Sequence, residues 1–181
     1  MKKTLKTFFL TLLFLAVLAL FSNVKANSIS KISMDIYVDN AGTAHVTETW
    51  KCSASEGTEV YHPYYNLGNS KIQNLVVSDE TQTYDTLSSW KTSGSLSSKA
   101  YKCGINKISN GVELCWGISK YGSHTYTVKY NITNFVSELS DGNQMIYWTL
   151  IPYDFSNTIG NVYIKIYSDF NMPNTIDVWG Y

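Results

Sequence analysis

Glu48 is the residue of this chain whose type and spacing most directly suggest chemistry. Apolar residues alternate with polar ones around it, and Glu48 has the same parity as the apolar set Ala44, Val46, Trp50 and Cys52. Since alternate side chains of a strand point to one face, the Glu48 carboxylate should point to the core. A buried carboxylate must be paired or neutral, and a neutral one in a pocket can act in acid catalysis.

Two interpretations of Glu48 follow. In one, Glu48 works with a second carboxylate in a glycosidase-like hydrolase; no acidic residue of matching parity is near it in sequence, so another strand would have to supply the partner. In the other, Glu48 is structural and accepts hydrogen bonds from backbone N–H groups or from a hydroxyl such as that of Tyr126 or Tyr130. The structural interpretation is favoured, because nothing else in the sequence demands a carboxylate pair.

The three histidines, His45, His62 and His124, are scattered along the chain. None is at metal-ligand spacing from another His or from a Cys. No signature of a Cys–His enzyme surrounds Cys103 or Cys115. We therefore expect no metal and no cofactor, and these absences favour a function without catalysis.

A disulfide is the ordinary use of two cysteines outside the cytoplasm, and which two of the three would pair stays open. A three-residue loop at 109–111 sets Cys103 opposite Gly117 and leaves Cys115 as its diagonal neighbour. Diagonal Cβ atoms lie about 7 Å apart, whereas a disulfide needs about 4 Å. A Cys103–Cys115 bond therefore requires a longer loop or an irregular hairpin, and it leaves Cys52 as a free buried thiol.

Aromatic residues are the candidate binding groups. Tyr61, Tyr64 and Tyr65 flank Pro63 in a turn-like segment, and Trp90 stands alone among Ser, Lys and Thr residues. Exposed Tyr and Trp rings form flat, amphipathic platforms that can bind a glycan or a protein partner. The alternative is that these rings cap one end of the fold.

The elements that position these residues are strands. Between residues 32 and 38 and between 44 and 52 the alternation predicts a hairpin, whose loop from Asp39 to Gly42 should keep both strands in register. A long loop is expected at 86–99, which is rich in Ser and Gly. We predict an all-β fold, an antiparallel β-sandwich of immunoglobulin-like character, with further strands at 71–77, 112–118, 125–132, 144–151 and 161–167.

The N-terminus has the pattern of a secretory signal peptide. Lysines at positions 2, 3 and 6 precede an apolar run from Phe8 to Phe21, and the segment closes on Ala26. The run is shorter than the roughly 20 residues of a membrane-spanning helix, although an uncleaved anchor is the alternative. We expect a leader at 1–26 and one extracytoplasmic domain at 27–181, secreted or on the outer face of a bacterial membrane.

Charge narrows the choice of partners. All fourteen basic residues are Lys, and four of them fall in the predicted leader, so the mature chain has ten basic residues against fourteen acidic ones. This mildly acidic balance argues against a nucleic-acid partner. The absence of Arg removes the side chain that best recognises phosphate.

Two segments carry a family resemblance. The sequence from Gly42 to Trp50 and that from Gly122 to Tyr130 resemble the N-terminal domain of the predicted bacterial membrane proteins of DUF2207, a family of domains of unknown function, and 100–119 resembles its Firmicutes branch. The resemblance implies a signal peptide, an extracytoplasmic β domain and then transmembrane helices. It implies no catalytic residues. This sequence stops at Tyr181, which leaves two alternatives: a secreted protein, or a fragment of a longer protein that is tethered to the membrane.

The function predicted from these features is binding, sensing or scaffolding at the bacterial cell envelope. The partner would be a cell-wall glycan or an envelope protein. A hydrolase that uses Glu48 is the alternative, and it requires an accessible cleft with a second carboxylate about 5 to 9 Å away.

Overall fold

The alternating segments form two larger β-sheets that face each other, beside a separate two-stranded sheet. A computed structural model describes residues 27–153, 155 and 157–170; the predicted leader lies outside these residues. Among them, no helix has the length and apolar character needed to span a bilayer. The elements are β1 (Ser28–Val38), β2 (Ala44–Ala54), β3 (Glu59–Tyr65), β4 (Ile72–Ser78), β5 (Asp85–Thr86), α1 (Leu96–Lys99), β6 (Lys102–Ile108), β7 (Gly111–Gly117), β8 (Gly122–Ile132), β9 (Val136–Glu138), β10 (Gln144–Ile146) and β11 (Val162–Tyr167).

The first sheet has the strand order β11-β1-β2-β8-β4. Its β1–β2 hairpin confirms the predicted register, because Val38 pairs with Ala44 and the backbone N–H of Asp39 donates to the Thr43 carbonyl at 3.0 Å. Gly42 closes the loop in the left-handed region, at a φ of 73°. A side chain would be strained there, which is why the predicted turn needs a glycine at this position.

The second sheet has the strand order β3-β7-β6-β5. Strand β3 was not predicted, because Pro63 and the surrounding tyrosines suggest a turn. The strand tolerates Pro63 since it lies at the edge of the sheet, where a missing N–H breaks no ladder between two neighbours.

Both sheets contain one parallel edge strand, so the fold is not purely antiparallel. Strand β11 runs parallel to β1, and β5 runs parallel to β6. A parallel pair needs a long crossover connection, and the chain between β5 and β6 supplies one. This connection is the long loop expected at 86–99, and it includes the short helix α1.

The core lies between the sheets and confirms the predicted β-sandwich. Alternate residues of β8 are buried as the pattern requires: Tyr126, Val128, Tyr130 and Ile132 are each at most 1% exposed. The matching faces of β1 and β2 contribute Ile32, Met34, Ile36, Val46 and Trp50. The second sheet contributes Tyr64, Cys103, Leu114 and Trp116.

Candidate functional site

The Glu48 carboxylate lies between the two sheets, as its parity predicts. Glu48 is completely buried and stands between Met34 of β1 and Val128 of β8 in the first sheet. An ionised carboxylate at such a place requires hydrogen-bond donors or a cation. The structure supplies both.

Three neutral donors surround the carboxylate. Trp50 donates from Nε1 to Glu48 Oε2 at 2.5 Å, and the Tyr130 hydroxyl donates to Oε1. The Tyr64 hydroxyl is 3.5 Å from Oε1 and 2.5 Å from the Tyr130 hydroxyl. Tyr130 is therefore the hydroxyl partner that the structural interpretation expected, whereas Trp50 and Tyr64 were not foreseen.

His62 supplies the cation. Its Nδ1 lies 3.0 Å from Glu48 Oε1 and 3.1 Å from Oε2, and its Nε2 lies 2.9 Å from the Leu150 carbonyl oxygen. A carbonyl oxygen only accepts, so Nε2 must donate its proton there. With Nδ1 also donating to the carboxylate, His62 and Glu48 form an ion pair in which neither side chain is exposed.

The environment keeps Glu48 ionised. Burial alone would raise the pKa of Glu48, but the charge of His62 and the hydrogen bonds from His62, Tyr130 and Trp50 outweigh burial and lower this pKa below 4.5. Burial and the charge of Glu48 raise the pKa of the Tyr130 and Tyr64 hydroxyls well above 10.0, which keeps them as donors.

This arrangement does not provide what a hydrolase needs. An acid catalyst holds a proton near neutral pH and reaches the substrate, whereas Glu48 is ionised and sealed from solvent. Its contacts in the described part of the chain are an indole, an imidazole and two phenols, with no second carboxylate. The network instead joins Glu48 and Tyr130 of the first sheet to His62 and Tyr64 of the second.

His62 also connects this network to a surface cleft. Its hydrogen bond to Leu150 holds one residue of the segment 147–153, which forms one wall of an open cleft of about 930 Å³ at one end of the sandwich. The cleft is lined by Tyr65, Asn66, Leu67, Gly68, Asn69, Ser70, Asn110, Asn134, Val136, Ser137, Glu138, Tyr147, Trp148, Thr149, Pro152 and Tyr153.

The cleft combines aromatic rings with amide groups. Tyr147 is 75% exposed and Tyr153 fully exposed. Trp148 is held in place, since its Nε1 donates to the Phe135 carbonyl oxygen at 2.9 Å and its ring stacks on Phe135 with centroids 5.4 Å apart. Four asparagines provide neutral donors and acceptors, at positions 66, 69, 110 and 134.

The four aromatic residues predicted to bind a partner differ in their exposure and in their distance from the cleft. Tyr65 lines the cleft, and Tyr61 is half-buried on β3 away from it. Tyr64, at 1% exposed, is not a surface platform, because it belongs to the Glu48 network. Trp90 is not one either: it is 6% exposed, and its Nε1 donates to Glu59 Oε2 at 2.5 Å.

The ion pair of Lys99 with Glu59 explains the burial of Trp90. Lys99 Nζ lies 2.7 Å from Glu59 Oε2 and 5.6 Å from the centroid of the Trp90 ring. The charged pair therefore draws the long loop onto the sheet. Composition predicted a long loop at 86–99 and did not reveal this contact.

The Cys103–Cys115 disulfide, which the sequence left open, does not form in this structure. The turn between β6 and β7 has two residues, not three, so Cys103 pairs with Trp116 and Cys115 pairs with Gly104. Cys103 and Cys115 therefore point to opposite faces of the sheet, where no disulfide can join them. Both thiols are free, and so is the half-buried Cys52.

Comparison with known proteins identifies the family and the fold. A family model described as "Predicted membrane protein (DUF2207) N-terminal domain" matches residues 28–181. No curated protein matches the chain.

Two solved structures of similar fold are native yeast LTA4 hydrolase and native leukotriene A4 hydrolase from Saccharomyces cerevisiae. The first is 13% identical with a TM-score of 0.51, and the match covers 83% of this chain and 24% of that one. The second is 12% identical with the same TM-score, and the match covers 83% and 25%. The chain thus spans about a quarter of these proteins, and at this identity the likeness shows the fold alone.

Proposed function

The chain belongs to the family of predicted membrane proteins that have the DUF2207 N-terminal domain, and from this we propose that it is a non-catalytic recognition domain on the extracytoplasmic side of a bacterial membrane. The sequence pattern at 1–26 supports export, since it is that of a signal peptide. The sealed Glu48 network supports a role without catalysis, because the strongest candidate for acid chemistry is not accessible to a substrate.

The observation that carries the proposal is the cleft beside Tyr147 and Tyr153. Its volume of about 930 Å³ falls within the range of small-molecule sites, roughly 300–1,000 Å³. Two exposed tyrosine rings offer apolar faces with polar tips, and neighbouring asparagines offer hydrogen bonds without charge. Glu138 is the charged residue among those that line it. This chemistry suits a neutral polyol with apolar ring faces, and we propose a cell-wall glycan as the ligand.

The segment that presents these rings is held in position before any ligand arrives. Leu150 is tied to the buried His62, and Trp148 is tied to Phe135. Anchoring of this kind reduces the ordering cost of binding. The buried Glu48 network would thus support recognition indirectly, through the backbone of 147–153.

Binding of the purified chain to glycan arrays and to cell-wall fragments tests this proposal. We expect a defined class of glycan to bind, and the double variant Tyr147→Ala/Tyr153→Ala to weaken that binding at least about tenfold. Tyr121→Ala is the matched control, because Tyr121 is 51% exposed but lies at the opposite end of β8. If the double variant binds the glycan as tightly as the natural chain, the cleft is not the binding site. If the chain captures an envelope protein and binds no glycan, the ligand is a protein and the glycan proposal is wrong.

Export has a separate test. The chain should be recovered outside the cytoplasm with a mature N-terminus near Asn27, read by N-terminal sequencing. Recovery from the cytoplasm with Met1 still attached would contradict the location.

A further inference from the structure

Three potential metal ligands meet at the end of the first sheet that lies farthest from the cleft. Asp79 and Glu80 follow β4 directly, and His124 is the third residue of β8, which pairs with β4. The ligand atoms of the three side chains all lie within 4.8 Å of one another. The spacing of these residues in sequence gave no hint of the cluster, because 44 positions separate Glu80 from His124.

His124 is the informative member of this cluster. Its side chain is only 1% exposed, and its Nδ1 is buried with no hydrogen-bond partner among residues 27–170 as described. Its Nε2 lies 2.8 Å from the Lys120 carbonyl oxygen, so Nε2 must donate its proton there. In the neutral ring Nδ1 is then a bare lone pair, and it faces Glu80 Oε1 at 3.4 Å. Either a proton on Nδ1 or a bound cation must therefore lie between this nitrogen and the carboxylate.

The two carboxylates can contribute negative charge. Asp79 accepts from the backbone N–H of Thr81 at 2.7 Å and of Gln82 at 3.0 Å, and from the Tyr84 hydroxyl at 2.9 Å. Burial opposes ionisation, but these hydrogen bonds outweigh it and hold the pKa of Asp79 below its usual value. Glu80 Oε2 accepts from the Thr125 backbone N–H, at 3.2 Å.

We propose that Asp79, Glu80 and His124 bind one divalent transition-metal ion, with water completing its coordination. Imidazole nitrogen together with carboxylate oxygen suits ions such as Zn²⁺ and Mn²⁺ better than Ca²⁺ or Mg²⁺, which prefer oxygen alone. The hydrogen bond from Nε2 to a backbone carbonyl is the usual arrangement that orients a metal-ligating histidine.

The ligands need little movement to reach a common ion. Each would lie about 2.1 Å from a zinc ion, so two ligands of one ion are at most about 4.2 Å apart. The present spread of up to 4.8 Å is slightly larger. Glu80 is 44% exposed, so its side chain has room to shift toward a common ion. A bound ion would clamp the turn after β4 onto β8.

Calorimetric titration of the purified, chelator-treated chain with Zn²⁺ tests the site. We expect one saturable site per chain, weakened at least about tenfold in Glu80→Gln and abolished in His124→Gln. Glu80→Gln carries the test if the buried His124 variant fails to fold, because Glu80 is exposed. Glu56→Gln and His45→Ala are controls in which affinity should change less than about twofold, since these residues lie outside the cluster.

A second readout locates the ion. Substoichiometric Mn²⁺ should broaden the NMR signals of the His124 ring far more than those of the His45 ring, because His45 lies seven positions along β2 from Cys52, the residue that pairs with His124. Absence of a saturable site, equal affinity in Glu80→Gln, or Ca²⁺ binding as tightly as Zn²⁺ would each overturn the proposal. In the first case His124 and Glu80 would form only an ordinary ion pair. Glycan binding in the cleft does not depend on any of these results.

Discussion

His62 Nδ1 lies 3.0 Å from Glu48 Oε1, and solvent reaches neither side chain. Breaking a buried pair by removing one partner leaves the other charge uncompensated, at a cost of about 3–5 kcal/mol. We therefore expect Glu48→Gln to lower the free energy of unfolding by about that amount in guanidinium titrations. Glu56→Gln, an exposed carboxylate change, should have little effect.

A double-variant cycle separates pairing from simple loss of packing. If Glu48 and His62 act as a pair, Glu48→Gln combined with His62→Gln should cost clearly less than the sum of the two single changes. Additive costs would show that the two residues stabilise the fold independently.

The same pair makes stability depend on pH. The pKa of Glu48 is lowered below 4.5 in the fold, because the charge and hydrogen bonds of His62 outweigh the effect of burial. A carboxylate whose pKa is lower folded than unfolded contributes fully above its unfolded pKa and loses that contribution as pH falls through the folded pKa. We expect the free energy of unfolding to fall progressively below about pH 4.5.

Comparison with the Glu48→Gln variant shows whether Glu48 causes this loss of stability at acid pH. The variant has no carboxylate to protonate, so its stability should fall less steeply with acidification than that of the natural chain. Some decline should remain, because hydrogen bonds also lower the pKa of Asp39 and Asp79. Parallel stability curves for the two proteins would argue against Glu48 as the source.

Much of the first sheet was predictable from period-two alternation and turn chemistry. The pattern around Glu48 placed its side chain inside, and the pattern of β8 placed Tyr130 on the same interior face as a hydroxyl partner. These inferences succeed because a strand with one buried face constrains every second residue. No comparable constraint identifies which strand of the other sheet lies across from it.

The parts missed from the sequence depend on contacts between distant segments. Pro63 and the tyrosines around it suggest a turn, so the sequence did not predict β3, the strand on which His62 contacts the Glu48 carboxylate. The exposed tyrosines at 147 and 153 lie on a segment that His62 holds through Leu150, 88 positions away. Such pairings need the packing of two sheets, which local patterns do not encode.

Free thiols are expected in place of the disulfide. Burial raises the pKa of Cys52 to about 12 and also raises the pKa of Cys103 and Cys115, which keeps all three as unreactive thiols. Native protein should react only slowly with a thiol reagent, and three equivalents should react after unfolding without reductant. Release of a single thiol on unfolding would show that two of the cysteines are bonded.

A glycine contact links the long loop to the second sheet. Replacing Gly117 with Ala would place its Cβ 1.9 Å from the Lys99 carbonyl oxygen, a backbone atom that cannot turn aside. The residue after Lys99 also bridges directly to Gly117. We expect Gly117→Ala to destabilise the fold by at least about 1–3 kcal/mol, because the loop must move off the sheet.

Gly104→Ala is the matched control for this prediction. Gly104 lies on the neighbouring strand β6, and a Cβ there would meet the Leu87 carbonyl oxygen at 3.4 Å, which is ordinary contact. The change should therefore be neutral or slightly stabilising, since Ala also restricts the unfolded chain. Limited proteolysis gives an independent readout: cleavage within 86–99 should accelerate in Gly117→Ala and not in Gly104→Ala. Equal unfolding free energies and cleavage rates in the two variants would mean that Lys99 does not pack against Gly117 in solution.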